Sequence, residues 1–450
     1  MAVDDLDKAE TLNNFFSSVY TREDLSNVPE LRECLYSNGV SLSEVRVTPQ
    51  AVKDKLKKLD INKAQGPDMI PPKVLKELCE ELSVPLCSLF NKSLETGNLP
   101  SEWNTAVVTA LFKKGSKSDP GNYRPVSLTC VLCKVLENLI RDAIVSHFTD
   151  NNLYVNCQHG FRKKRSCVTQ LLEVMENVTT LLDEGQNIDI VYLDFKKAFD
   201  TVPHERLLVK LKAYGICGGV LKWIEHFLRH RSQQVKVGET KSGKVDVLSG
   251  IPQGSILGPV LFTIFINDLP DSVLSSCYIF ADDTKIFNKE CNSSNIQNDI
   301  YKLQEWSDRW NLYFNASKCG VLHLGRTNQN STYFMKTRDG LHQINAITEE
   351  KDLGVTFDKQ FTFDAHIQRV VNKANQMLGI IKRSFRYLDR DVFLRLYKSF
   401  VRPHLEYANI IWNPFLKRQF IQIEKVQRRA MKSLNERRKM NYHERLHYII

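Results

Sequence analysis

The stretch Cys277 to Phe287, CYIFADDTKIF, sets two adjacent carboxylates between two apolar runs that both require burial. Strand, tight turn and strand accommodate this pattern, with Asp282 and Asp283 at the tip of a hairpin. Asp is common in turns because its side chain bonds its own backbone, so the pair alone is ordinary. A second acid changes its meaning. NIDIVYLDF is apolar nearly throughout, as in a strand covered on both faces of a sheet, and it runs into Asp194. A lone carboxylate at such a strand end is costly unless it is paired or bound to metal.

Three carboxylates at the ends of adjacent buried strands repel one another and raise their own pKa values, unless divalent cations neutralise them. Magnesium suits such a site, because it is hard, takes carboxylate oxygens, keeps some waters and bridges to substrate phosphates; manganese is the alternative. Two such ions about 4 Å apart lower the pKa of an attacking hydroxyl and stabilise a leaving pyrophosphate. The chemistry implied is nucleotidyl transfer.

At 450 residues, 42% hydrophobic and 25% charged, the chain is globular in composition and long enough for two or three cooperating subdomains. Its net charge of +10 is uneven: residues 365–450 hold 19 Lys and Arg against 6 Asp and Glu, out of 62 and 52 in the whole sequence. A basic run is commonly a solvated helix face, but an excess this concentrated raises the case for a polyanion partner. The 11 cysteines, an odd number at irregular spacings, argue against a disulfide framework and for an intracellular setting, nucleus or cytoplasm. Cys130 and Cys133, with Cys157 and His159, nominally complete a zinc set. They sit in VSLTCVLCKVLENLI, however, and read as buried thiols at helical spacing. No run reaches the roughly 18 apolar residues of a membrane helix, so a soluble chain without a membrane partner is expected.

Residues 1–45 carry a weak helix and then polar sequence, which reads as a linker or N-terminal extension. Helical periodicity begins at Thr48. TAVVTALF is a strand, and KKGSKSDPGN is a basic turn closing a hairpin. Residues 126–148 and 166–184 read as helices, as do RLLVKLKAYGICGGVLKWIEHFLRHR and 295–315. QQVKV reads as an edge strand, GVLHLG as a further strand, and DLGVTFD as the start of another strand pair. VLSGIPQGSILGPVLFTIFINDL is a Gly-rich loop opening a buried helix. In the basic end, Ile367, Val370, Val371, Ala374, Met377, Leu378 and Ile381 form one apolar stripe.

YLDFKKAFDTVPHERLL, SGIPQGSILGPVLFTIFINDL and YIFADDTKIF, in that order, resemble the successive palm motifs of reverse transcriptases from non-LTR retrotransposons, the LINE-like or jockey-like mobile elements. GNYRPVSL, QHGFRKKRS, NASKCGVLHLG and KDLGVTFD are similar to accompanying motifs, so the resemblance spans roughly residues 60–435. It implies an α+β right-hand polymerase with fingers, a palm built on an antiparallel sheet, and a helical thumb. The expected divisions are 46–185 for fingers with an N-terminal helical extension, 186–360 for palm and 361–450 for a basic thumb. The partners implied are an RNA template, a DNA primer, deoxynucleoside triphosphates and a ribonucleoprotein with the element's own RNA.

Carried over residue by residue, the resemblance makes Asp194, Asp282 and Asp283 the catalytic, metal-binding triad, with Phe195 a metal neighbour through its carbonyl. Phe199 resembles the steric gate that fills the space of a ribose 2′-hydroxyl; read alone, it is equally an ordinary core aromatic. Gln253 and Gly254 resemble the loop that touches the incoming nucleotide. Arg124, with Lys113 or Lys114, would grip the triphosphate; without the neighbouring motifs these are exposed hairpin charges. Lys318 resembles a lysine that protonates pyrophosphate. Leu353–Gly354 resembles a primer grip, and Arg162, Lys163, Lys164 and Arg165 would meet template phosphates. Asp200, six positions beyond Asp194, reads as structural.

Elements of this kind commonly carry an endonuclease ahead of the polymerase and sometimes a Cys/His knuckle behind it, and neither pattern is found in these residues. Residues 8–22 resemble the segment that joins nuclease to polymerase, and the sequence runs out at RLHYII within an expected helix. The expectation is a truncated open reading frame. It leaves an alternative from another class, a catalytically silent nucleic-acid-binding remnant, which the intact acids argue against.

Overall fold

The computed structural model describes residues 4–288, 293–337, 340–385 and 389–432, and the fold is α+β. In chain order the strands are β1 (Thr105–Phe112), β2 (Tyr123–Leu128), β3 (Ile188–Leu193), β4 (Ser232–Val237), β5 (Thr240–Lys241), β6 (Val245–Asp246) and β7 (Ser276–Phe280). They continue with β8 (Asp283–Phe287), β9 (Gly320–Leu324), β10 (Phe334–Thr337), β11 (Gly340–Gln343), β12 (Asn345–Ile347), β13 (Glu349–Asp352) and β14 (Val355–Asp358).

β3 lies between β8 and β9 and runs antiparallel to both. β7 extends the sheet antiparallel to β8, and β12 ends it parallel to β9. Alternation sends successive side chains to opposite faces. Val191, Leu193, Ile279 and Ile286 join one core, shared with helices Gly258–Phe265 and Ser293–Trp310. Ile188, Ile190, Tyr278 and Phe287 join the other, shared with helices Cys167–Asp183 and Asp364–Ser384. The sheet is therefore covered on both sides, as the apolar run requires, and each fully buried Ile, Val or Leu contributes about 1.5–3 kcal/mol.

The second sheet has the order β2-β1-β4-β5, with β6 also on β4. QQVKV is thus not an edge strand: β4 has parallel β1 on one side and β5 and β6 on the other. Its polar–apolar alternation records a single covered face, where Val235 packs with Val108 and Phe16.

Two helix boundaries also differ from the periodicity. Residues 126–128 belong to β2, and the helix expected from 126 starts at Val131. Pro125 sits in that strand's ladder with β1, which holds the segment extended. RLLVKLKAYGICGGVLKWIEHFLRHR forms two helices, His204–Ala213 and Gly218–Arg229, separated by a turn in which Gly215 has φ +83°.

The N-terminal segment, read as a linker, is packed onto the fold over its described part. Helix Asp5–Ser18 lies on β4 through Phe16, and Leu42 pairs with Ile216 as a parallel bridge. Glu23 accepts the Glu205 and Arg206 amides, which open a helix, and the Arg206 guanidinium at 2.7 Å. Leu31, Tyr36 and Leu42 also pack on the main core, but these apolar contacts are scattered without a clear period, so hydropathy gave little sign of them. In the basic end Ile367, Val371, Ala374, Leu378 and Ile381 are buried and Val370 and Met377 half-buried, as the stripe predicts. Residues 433–450, including the RLHYII ending, lie outside the described residues, as do 386–388. Among the described residues, no helix is long and apolar enough to cross a membrane.

Glu23 and Arg206 are 8% and 3% exposed. Glu23→Ala leaves a buried guanidinium without its carboxylate and is expected to lower stability by about 3–5 kcal/mol in chemical denaturation. An unchanged unfolding midpoint would show the N-terminal segment to be loosely attached.

Candidate active site

β3 and β8 end on the pair Leu193–Thr284. The next residue outward on each strand is an acid, which in the same register would set Asp194 opposite Asp283, and both acids line one cleft. Phe280 pairs with Asp283, leaving Ala281 and Asp282 as a two-residue turn, Ala281 at φ +56°. All three acids therefore stand at one end of one sheet.

The QHGF segment holds the turn from beneath. The Cys157 carbonyl accepts the Ile279 amide, and the His159 amide donates to the Ile279 carbonyl. Gln158 Oε1 accepts the amides of Gly160 at 2.7 Å and Ala281 at 3.2 Å. A Cβ on Gly160 would stand 2.4 Å from the Ala281 nitrogen, so only glycine fits beneath the acids. Gln158 and Gly160 were not singled out from the sequence. The signal was the GF dipeptide, overshadowed by the basic residues after it. Of those, Arg162 is turned inward: it donates to the Val155 and Gln158 carbonyls and lies over the Tyr154 ring. Arg165 bonds His159, while Lys163 and Lys164 are exposed.

On the other flank the Asp194 carbonyl accepts the Asn315 amide at 2.7 Å, and the Lys196 amide donates to the Tyr313 carbonyl at 2.8 Å. Neither bond uses the Phe195 carbonyl, and the Phe195 ring is buried against Phe314. The short turn Ala316–Lys318 follows and brings Lys318 Nζ to 2.9 Å from Asp194 Oδ2. The lysine thus sits on the acid itself.

Burial and the neighbouring Asp194 push the Asp282 carboxyl up, against Arg124 and Lys113. Burial, then Asp282 and Asp352, push Asp283 up to about 6. Lys113 is held below the usual lysine range by burial and by the cations Arg124 and Lys318, while Asp200 and Asp282 act the other way. Lys113 is therefore within electrostatic reach of the acids. Arg124 faces Leu111 across the β1–β2 ladder and keeps an exposed side chain.

The IPQG loop is tied to two of these segments. Ile251 donates to the Phe199 carbonyl and Ser127 to the Gln253 carbonyl, both at 2.7 Å. A Cβ on Gly254 would lie 2.6 Å from the Ser127 oxygen, so this glycine is needed for packing against β2 whatever else it meets. Phe199 is half-buried, its ring stacked on Phe262 with centroids 4.5 Å apart. Gln253 Nε2 donates to Asp200 Oδ1 at 2.7 Å, so Asp200, read as structural, orients the glutamine. Leu353 faces Asp194, Asp283 and Lys318 across a cleft of about 330 Å³.

The sequence pattern of the family described as Reverse transcriptase (RNA-dependent DNA polymerase) matches residues 112–388. The chain belongs to the reverse transcriptase family. It is 28% identical over 456 residues to the RNA-directed DNA polymerase from mobile element jockey of Drosophila melanogaster, covering 96% of this chain and 49% of that protein. It is 29% identical over 368 residues to the probable RNA-directed DNA polymerase from transposon X-element of the same fly, covering 78% and 40%. A retrovirus-related Pol polyprotein from type-1 retrotransposable element R1 of Bradysia coprophila is 25% identical over 80% of this chain and 36% of its own length. The chain spans about half the length, or less, of these relatives. The resemblance to mobile-element reverse transcriptases read from the motifs is borne out.

Reverse transcriptases use divalent metal ions, and the donor set fits one. Three carboxylates are hard ligands, and the burial and mutual repulsion that raise Asp282 and Asp283 are what a cation would offset. Among the described residues no three Cys, His, Asp or Glu side chains, the three aspartates included, are already gathered closely enough to hold a metal ion, and Asp194 is paired with Lys318. Lys318 is 63% exposed and can leave Asp194 without disturbing the core.

In carbon-13 carboxyl spectra of the protein without added metal, one aspartate is expected to titrate near pH 6 and to be lost in Asp283→Asn. Added magnesium should move that titration to lower pH, because a bound cation favours the ionised form. No response to magnesium would argue against metal at these acids.

Proposed function

We propose that the chain is an RNA-directed DNA polymerase that adds deoxynucleotides to a primer 3′-hydroxyl on an RNA template, with magnesium as its ion and manganese as the alternative. The observation that carries this reading is the placing of Asp194 and Asp283 on one cleft beside the Asp282 turn, within reach of the cations Lys113 and Arg124. The right-hand arrangement assigns the β3-centred sheet and its surroundings, 186–360, to the palm. Residues 46–185 become the fingers and 361–450 the thumb. Residues 1–45 are then a docked extension.

Asp194, Asp282 and Asp283, with the Phe195 carbonyl, would hold the metal. Bound there, magnesium would lower the pKa of the attacking hydroxyl and neutralise charge on the departing pyrophosphate. Arg124 offers the triphosphate a planar bidentate fork, and Lys113 a movable point charge. Lys318, already beside Asp194, is long enough to turn to the pyrophosphate and donate a proton to it. The Phe199 ring, held by Phe262, closes the space of a 2′-hydroxyl, and Gln253, held by Asp200, meets the nucleotide. The Leu353–Gly354 turn supports the primer end. Lys163, Lys164 and the exposed Arg369, Lys373, Lys382 and Arg383 meet template and primer phosphates without reading sequence.

Asp282→Asn is expected to lower labelled-nucleotide incorporation on a primed RNA template at least about 100-fold, since metal assistance supplies several kcal/mol of the barrier. Salt-sensitive binding of the primed template should persist, because it rests on phosphate contacts. Full incorporation by this variant would refute the assignment. Asp283, pushed up to about 6, is protonated below that pH and cannot hold a cation. Extension should therefore decline as pH falls through about 6, and the decline should move to lower pH as magnesium is raised. A decline indifferent to magnesium would contradict the role of Asp283.

A further inference from the structure

Lys285 lies two residues beyond Asp283 on β8 and so points to the same face as that acid. Its ammonium contacts the Asp352 carboxylate, with the two side chains 4% and 6% exposed. A buried ion pair rarely stabilises a fold more than an apolar pair of the same shape would, so its place beneath the cleft calls for a reason of geometry. Asp352 supplies one. It pairs with Val355 and is followed at once by the Leu353–Gly354 turn, so the contact ties that turn directly to the catalytic hairpin.

The turn is also held from the opposite side. Leu353 has φ +44°, which a leucine adopts only when its surroundings fix it. Its carbonyl accepts the Tyr407 hydroxyl at 2.8 Å, and the Tyr407 ring lies against Gly354. Burial, then the neighbouring Cys167, push the Tyr407 phenol up to about 12, so it remains a donor at neutral pH. The path from Asp283 through Lys285, Asp352 and Leu353 to Tyr407 thus joins β8, a separate hairpin and the basic helical end.

We propose that Lys285, Asp352 and Tyr407 are positioning residues that clamp the Leu353–Gly354 turn at a fixed distance from the catalytic acids, so that a primer end on the turn stays aligned with them. The inference rests on the polymerase reading. It assigns two clamps: the buried pair to the hairpin side and the tyrosine hydroxyl to the helical side. Misalignment should weaken productive use of the primer while leaving nucleotide binding, on the far side of the acids, unaffected.

The test is steady-state extension of a primed RNA template by the full chain, with primer–template and nucleotide varied separately. Tyr407→Phe deletes one hydroxyl from a partly exposed ring; it should raise KM for primer–template about three- to tenfold, the worth of one hydrogen bond, and leave KM for nucleotide unchanged. Lys285→Met with Asp352→Leu replaces the pair by apolar side chains and should reduce kcat/KM for primer about 100-fold without lowering the melting temperature. Lys285→Arg alone, which keeps the ion pair, should retain most of the activity. Wild-type primer KM in Tyr407→Phe together with wild-type kinetics in the double variant would overturn the proposal. If the double variant does not fold, Tyr407→Phe decides alone. A wild-type chain that binds primed template and extends nothing would refute the polymerase reading instead. Primer affinity of Tyr407→Phe, by filter binding, would then still decide the clamp.

Discussion

The antiparallel pairing of β3 with β8 is the constraint on which the site depends. It is set by side chains far less polar than those it serves. Ile190 and Phe287 belong to one core, and Val191 and Ile286 to the other. A slip of one residue would move each of them to the wrong face and turn Asp283 away from Asp194. Two cores on the two sides of one sheet therefore fix the register, and the register brings together carboxylates that are 89 positions apart in the chain. The acids cannot produce this convergence themselves, because their mutual repulsion opposes it.

The surroundings answer that repulsion in different ways. Lys318 compensates Asp194 directly, while Lys113 and Arg124 act on Asp282 from the β1–β2 hairpin. Lys285 offsets Asp283 and is itself neutralised by Asp352. The first three cations are on exposed side chains, whereas Lys285 is locked in place. Exposed charges flank the acids, and the buried pair underlies them. The backbone supports follow the same division. Gln158 and Gly160 hold the Asp282 turn by short, buried contacts, and Asp200 orients Gln253 across a single hydrogen bond.

The hairpin of CYIFADDTKIF, the doubly covered strand ending at Asp194 and the amphipathic stripe of the basic end were legible in the sequence, because each is a local hydrophobic pattern. Family membership was legible from the order of the motifs. The interior place of β4 was not, since polar alternation looks the same for an edge strand and for an interior strand with one covered face. The docking of residues 4–45 was hidden because its apolar contacts, Phe16 on one sheet and Leu31, Tyr36 and Leu42 on the main core, are scattered without a clear period, and Glu23 and Arg206 supply the rest. The break at Gly215 was missed because the apolar spacing continues through it. Gln158, Lys285 and Asp352 escaped notice for a related reason: their partners are distant in the chain, and a lysine or glutamine beside a motif carries no mark of burial.

The most direct test of convergence is anomalous scattering from crystals of the protein with manganese and a primed RNA template. Manganese bound by the carboxylates of Asp194, Asp282 and Asp283 together, with Lys318 moved off Asp194, is the predicted result. Manganese absent from these carboxylates, or held elsewhere while Lys318 stays on Asp194, would contradict it.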